Sequence, residues 1–192
     1  MPRAGLATES VVEAAAALAD ADGLEALTLA RLAAALGVQS PSLYVHVEGL
    51  PDLRRRLAAR GARELAQALG AAAAGRAGGD ALTAVAAAYR DYARAHPGTY
   101  AAAQRATDLD PADGAPVVDV VLAVLRGYGL EGDDAIHAAR IVRSALHGFA
   151  ALETDEGFGI PLDLDETFAR LVEVLDGGLT SQQMRAARAP GS

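Results

Sequence analysis

Residues 23–57 read GLEALTLARLAAALGVQSPSLYVHVEGLPDLRRRL. Thr28 is a side-chain cap for a short helix over 29–36, whose Leu29, Leu32, Ala33 and Leu36 recur at the spacing of one buried face. Gly37 breaks that helix, and Gln39 or Ser40 then caps a third short helix carrying Pro41 in its permissive first turn. The small Ala33 lets the two helices cross closely, and the run Arg54–Arg56 follows in the next helix. Two short helices folded around a glycine, the second one polar at its start, is the layout of a helix-turn-helix.

Outward from this segment every element reads as helix. Residues 1–7 form a loose arm, and Thr8 caps a first helix to Asp22 with Val11, Val12, Ala15, Leu18 and Ala19 as its apolar stripe, ended by Gly23. A long helix from about Pro51 to Ala74 buries Leu53, Leu57, Leu65 and Leu69. The stretch Ala71–Gly79 is the expected joint between two units. Helices over 80–95 and from Pro97 follow, then a loop-like TDLDPADGAP at 107–116. Val117–Tyr128 is apolar on several faces, as a centrally packed helix would be. Residues 133–153 place Ile136, Ala139, Val142, Leu146 and Phe149 on one stripe, and Asp163 with Glu166 makes a capping box for a last helix lined by Phe168, Leu171, Val172, Leu175 and Leu179. The fold class is therefore all-α. Its expected domains are a helix-turn-helix over 1–50, a larger helical domain over 51–180 and a flexible tail over 181–192.

Composition narrows the function. The chain has 192 residues, a net charge of -8 and no cysteine, so disulfides, thiolate metal sites and cysteine nucleophiles are excluded. No apolar run reaches the ~18 residues a membrane span requires, and Glu9 and Glu13 interrupt any signal-peptide pattern. A cytoplasmic location follows as the expectation, nucleoid-associated when DNA is bound. The acidity is uneven: residues 1–64 hold seven arginines against eight acids, a net of -1, and the remainder carries -7. A nearly neutral head on an acidic body leaves room for a DNA contact.

At that contact Gln39 is suited to adenine, Ser40 and Ser42 to bases or phosphates, and the ring of Tyr44 to a thymine methyl with its hydroxyl on phosphate. His46 follows directly, Thr28 stands at a helix start, and Arg54 or Arg55 lies within reach of the backbone. Enzyme chemistry finds no support. His137 and His147 are ten residues apart, about 80° off a common helix face and ~15 Å along it. No metal-binding, phosphate-loop or nucleophile-elbow motif is present, so no cofactor and no metal are expected.

The residues from the first helix through LTLARLAAALGVQSPSLYVHVEGLPDL resemble the TetR/AcrR family of one-component regulators over about residues 8–60. By that resemblance Thr28, Gln39, Ser40, Ser42, Tyr44 and His46 fall on positions that touch a double-stranded DNA operator, and Gly37 on the turn glycine. Leu50 departs from it, standing where most members have a phosphate-binding lysine; Arg54 or Arg55 is the expected substitute. YRDYARAHPGTY at 89–100 and LHGFAALE at 146–153 resemble the subset with a WHG-type C-terminal ligand-binding domain. The resemblance implies a homodimer sealed by the last two long helices and a repressor released from a palindromic operator by a small molecule. Tyr89, Tyr92, Tyr100, Arg105, Arg143, His147 and Phe149 are the expected pocket residues, suited to an apolar or amphipathic effector. The competing reading is a helical interaction or scaffold protein with weak or no specific DNA binding.

Overall fold

The computed structural model describes residues 6–105 and 110–186. Most of the expected N-terminal arm, Asp108 in the acidic loop and the last six residues of the expected tail lie outside them. Eight α-helices run through the described residues: α1 (Thr8–Asp22), α2 (Leu29–Leu36), α3 (Leu50–Ala73), α4 (Gly78–Ala95), α5 (Pro97–Arg105), α6 (Pro111–Arg126), α7 (Gly132–Thr154) and α8 (Leu164–Ala186). Two 3-10 segments, Leu24–Ala26 and Ser40–Val45, complete the first part of the chain.

The chain forms two compact units, 1–64 with 95–114 and 65–94 with 115–192. These are not the contiguous blocks 1–50 and 51–180. The division falls inside α3 rather than at Ala71–Gly79, and both sides of that stretch belong to the second unit. The reason is that α5 returns to the first unit, where α1 captures it. Asp20 accepts a hydrogen bond from the Thr99 backbone N–H at 2.7 Å and from its hydroxyl at 3.2 Å, and His96 Nδ1 lies 3.2 Å from the same carboxylate. Asp20 thereby satisfies an orphan N–H of the first turn of α5. Gly98 makes the approach possible, since a Cβ there would lie 2.0 Å from the Ala19 carbonyl oxygen.

The first unit is built around Val11, Ala15, Ala19, Leu27, Leu32, Leu43, Val47, Leu53 and Leu57, with Ala102 of α5 added. Thr8 is the first helical residue rather than the cap of α1 and has its hydroxyl 3.3 Å from His46 Nδ1. In the second unit Leu82, Val85, Leu125, Val142, Leu146, Phe168, Val172 and Leu179 are buried. Here α6 begins at Pro111, within the segment expected to be a loop, and it is not centrally packed. Val124 and Leu125 are buried, while Val118 stays exposed. The buried stripe of α7 runs through Ala135, Ala138, Val142, Leu146 and Phe149, which turns Ile136 outward. Asp163 caps α8 by accepting from the Asp165 and Glu166 N–H groups at 2.8 and 3.2 Å, and the Glu166 side chain is paired with Arg170. The helix then continues through residues 181–186, where a flexible tail was expected.

Candidate nucleic-acid interface

The helix-turn-helix is set by its caps. Thr28 Oγ1 accepts the Arg31 N–H at 3.2 Å, and Gly37 adopts the left-handed conformation with φ 67° and ψ 30°. The Val38 N–H then reaches Ala33 O at 3.0 Å and the Gly37 N–H reaches Ala34 O at 3.2 Å, closing the end of α2 as a Schellman motif. Beyond this turn the third helix is a 3-10 segment of six residues rather than an α-helix, with Gln39 at its N-cap making no side-chain cap bond. Leu43 and Val47 lock it into the core.

What remains outward is Gln39, Pro41, Ser42, Tyr44 and Val45, with Ser40 and His46 half-buried and Thr28 exposed. Tyr44 is 62% exposed and Val45 83%, and Val45 is not among the candidate contacts named above. Its signal was an apolar residue at a position no core contact requires. His46 is partly engaged by Thr8, so its ring also braces the start of α1 against the 3-10 segment.

The expected arginine clamp is differently occupied. Asp52 is buried and ties down Arg55 and Arg56, the latter through Nε at 2.9 Å, while accepting the Glu48 N–H at 3.1 Å. Burial pushes the Asp52 carboxyl up, but the Arg56 hydrogen bond, the Glu48 N–H and the two guanidinium charges outweigh it and leave it below its ordinary value. Arg54 lies 3.5 Å from Glu25. Leu50 packs its side chain against the core of the unit. Alongside, a cavity of about 240 Å³ lies between Thr8, Glu9 and Val12 of α1 and Arg56, Ala59, Arg60 and Arg63 of α3. It is charged in character, unlike the aromatic effector site expected from sequence.

The seven expected pocket residues are drawn from both units. Tyr100 and Arg105 belong to the first unit, Tyr100 buried there and Arg105 paired with Glu25 at 2.7 Å. Tyr89, Tyr92 and Phe149 are buried in the second unit, and Arg143 is exposed. His147 is half-buried, and burial, then the Arg143 charge, lowers its pKa.

The residue missed is Arg90 of α4, only 7% exposed. Its guanidinium makes bonds of 2.8 and 2.6 Å to Glu153 and an ion pair of 2.8 Å to Asp165. It also sits 5.3 and 4.9 Å from the ring centroids of Phe149 and Phe168. Phe158 lies tilted against Phe149 with ring centroids 5.0 Å apart, so two of the chain's three phenylalanines face this cation and the third packs on one of them. The Arg90 hydrogen bond holds the Glu153 carboxyl below its ordinary value despite burial. In the same unit, burial and then the hydrogen bond to Asp176 push the Tyr128 phenol up.

An all-helical fold whose first unit presents a capped helix-turn-helix defines a DNA-binding regulator of transcription. Residues 11–46 match the family described as bacterial regulatory proteins, tetR family, and residues 82–175 match the tetracyclin repressor-like C-terminal domain. The HTH-type transcriptional regulator Rv0681 of Mycobacterium tuberculosis is 40% identical over 92% of this chain and 83% of its own length. YobS of Bacillus subtilis, also an HTH-type transcriptional regulator, is 36% identical over 93% of this chain and 95% of its own. Apo ActR from Streptomyces coelicolor shares the fold, with a TM-score of 0.75 at 21% identity over 95% of this chain and 99% of that one. The chain belongs to the TetR family of helix-turn-helix transcriptional regulators. No described helix is long and apolar enough to cross a membrane.

Proposed function

We propose that the protein is a homodimeric repressor that reads a palindromic double-stranded DNA operator and is released from it by a small-molecule effector. The observation that carries the DNA reading is the outward set Gln39, Ser42 and Tyr44 on a segment whose inward Leu43 and Val47 are fixed in the core. Base edges are met by side chains that a rigid support presents, and this segment has both. Thr28, Ser40 and His46 flank the set, with Arg54 and Arg55 behind it. The dimer is supported by Ile136, Ile141 and Leu152 of α7 and Val174 of α8, large apolar side chains left exposed on the last two helices.

For the effector, Tyr89, Tyr92, His147 and Phe149 of the second unit remain the proposed contacts, with an apolar or amphipathic ligand favoured by their surroundings. ActR is described in complex with (S)-DNPA, which supports ligand response in a protein of this fold. A second reading, an interaction protein with weak DNA binding, is favoured by Leu50 and by the carboxylates that hold Arg54 and Arg55. Selection of bound sequences from a random duplex pool separates the two. A two-fold symmetric site, held by the dimer and surrendered when the effector binds, is the expected result. Failure to enrich any site would remove the regulator reading in favour of the second.

A further inference from the structure

We infer that Val45 reads sequence, by apolar contact with the C5 methyl of one thymine in each half-site; this rests on the DNA-reading function proposed above. Among the described residues of the first unit, Tyr44 and Val45 are the exposed large apolar side chains, and they are adjacent. Single exposed hydrophobes are ordinary on protein surfaces, so exposure alone argues nothing. The register does.

Residues 40–45 are a 3-10 segment, shown by the Ser42 N–H bonded to Gln39 O and the His46 N–H bonded to Leu43 O, both at 2.9 Å. At about 3.0 residues per turn, side chains three apart eclipse one another. Ser42 and Val45 therefore stand in one row, with the extended N-cap residue Gln39 just before it, and all three are exposed. Ser40, Leu43 and His46 form the next row, which faces inward: Leu43 is wholly buried and the other two are half-buried. In an α-helix each step of three would fall short of a full turn by about 60° and splay the outer row. The 3-10 winding is thus what brings Val45 into line with Ser42, whose hydroxyl can donate and accept.

An isopropyl group has no hydrogen-bonding atom. The only apolar feature that the major-groove edge of an unmodified base pair offers is the thymine methyl, so that is the feature Val45 can discriminate. Gln39 and Ser42 read polar edges, and Val45 adds a methyl contact one turn beyond Ser42.

The test uses the full-length protein. A site is selected from a random duplex pool, each thymine in it is replaced singly by uracil, and binding is compared for wild type and Val45→Ala. Besides any thymine met by the Tyr44 ring, one thymine per half-site is expected where loss of the methyl weakens wild type about fourfold, the worth of one buried methyl-sized group. V45A is expected to be indifferent to that replacement while keeping the wild-type thermal midpoint. Wild type indifferent to uracil at every position overturns the assignment, as does V45A retaining the full uracil response. If wild type selects no site, the DNA-reading function itself falls, and the assignment with it.

Discussion

Gly98→Ala is the sharpest perturbation available in the first unit. The new methyl carbon would lie 2.0 Å from Ala19 O, 2.2 Å from its carbonyl carbon and 2.8 Å from its Cβ, all part of α1. Unstrained carbon contacts fall near 3.5–4.0 Å, so α5 must withdraw by roughly 1.5 Å. The atoms in the way are backbone, and no rotamer change relieves them. A withdrawal of that size stretches the 2.7 Å bond from the Thr99 N–H to Asp20 and the 3.2 Å bond from its hydroxyl beyond hydrogen-bonding range. Overpacking costs about 1–3 kcal/mol, and losing a bond to a charged acceptor costs about 1.5–3 kcal/mol. Together the loss is roughly 3–5 kcal/mol, and for a chain of this size the thermal midpoint falls by roughly 6–20 °C. The control is Gly70→Ala in α3, where the nearest atom to a new Cβ is Val120 Cγ2 at 3.8 Å. Helix propensity alone should raise stability there by about 0.5–1 kcal/mol. Circular dichroism during heating and urea titration, on the two variants side by side, gives the comparison. A G98A protein that melts with wild type would show that α5 does not depend on the close approach to α1, and the argument from the Asp20 cap would fail.

Arg90→Met leaves the Glu153 carboxylate nearly buried without its partner and should cost about 3–5 kcal/mol in urea, most of it recovered in the double variant with Glu153→Leu. Because the folded Glu153 pKa is held below its unfolded value, its stabilisation is present above the unfolded value and disappears as pH falls through the lowered one. Urea midpoints should therefore decline more steeply from about pH 5 to about pH 3 in wild type than in Glu153→Gln; parallel declines would contradict the ion-pair assignment. Tyr44→Ala, at an exposed position, should change stability by less than about 0.5 kcal/mol yet remove specific DNA binding, measured by gel shift, with the oligomeric state unaltered in sedimentation. Loss of the oligomer instead would place Tyr44 in a structural role. Leu50→Lys should steepen the slope of log K against log salt by about 0.9 for each phosphate contact it adds, while loss of core packing lowers the thermal midpoint. An unchanged slope would mean that the start of α3 does not face the DNA backbone.

The helix-turn-helix was legible because each of its boundaries has a local cause. Thr28 caps with its own hydroxyl, Gly37 supplies the left-handed turn, and Leu43 and Val47 have no other place than the core. The winding of residues 40–45 was not legible, since six residues satisfy either helix type locally and core packing decides between them. The unit boundary escaped for a similar reason. The apolar periodicity of α3 continues straight through Glu64 and Leu65, and the division depends on Asp20 and Gly98 gathering α5 from a distance of about eighty residues in the chain. That same capture places Tyr100 and Arg105 in the first unit. Arg90 carries no local signal in the sequence, because Glu153, 63 residues away, and Phe168 become its surroundings only after folding.

The charge argument also changes meaning in three dimensions. Counting arginines over 1–64 suggested a nearly neutral head with cations to spare for phosphate. In the structure Arg31, Arg54, Arg55, Arg56, Arg60 and Arg63 each lie within 4 Å of a carboxylate, on Asp22, Glu25, Asp52 (shared by Arg55 and Arg56), Glu64 and Asp113. Such pairs differ in how firmly they hold. Exposed pairs such as Arg31 with Asp22 and Arg54 with Glu25 contribute about 0–1 kcal/mol, so a phosphate can displace the acid. Asp52 is buried, and stripping Arg55 and Arg56 from it would leave a carboxylate without its compensating charge. Arg31 and Arg54 can therefore exchange their acids for a phosphate more readily than Arg55, which is the poorer substitute for the lysine absent at residue 50. With fewer cations to release counterions, affinity must rest more on Gln39, Ser42 and Val45 than on phosphate contacts. The salt dependence of binding should accordingly be shallow before Leu50 is changed.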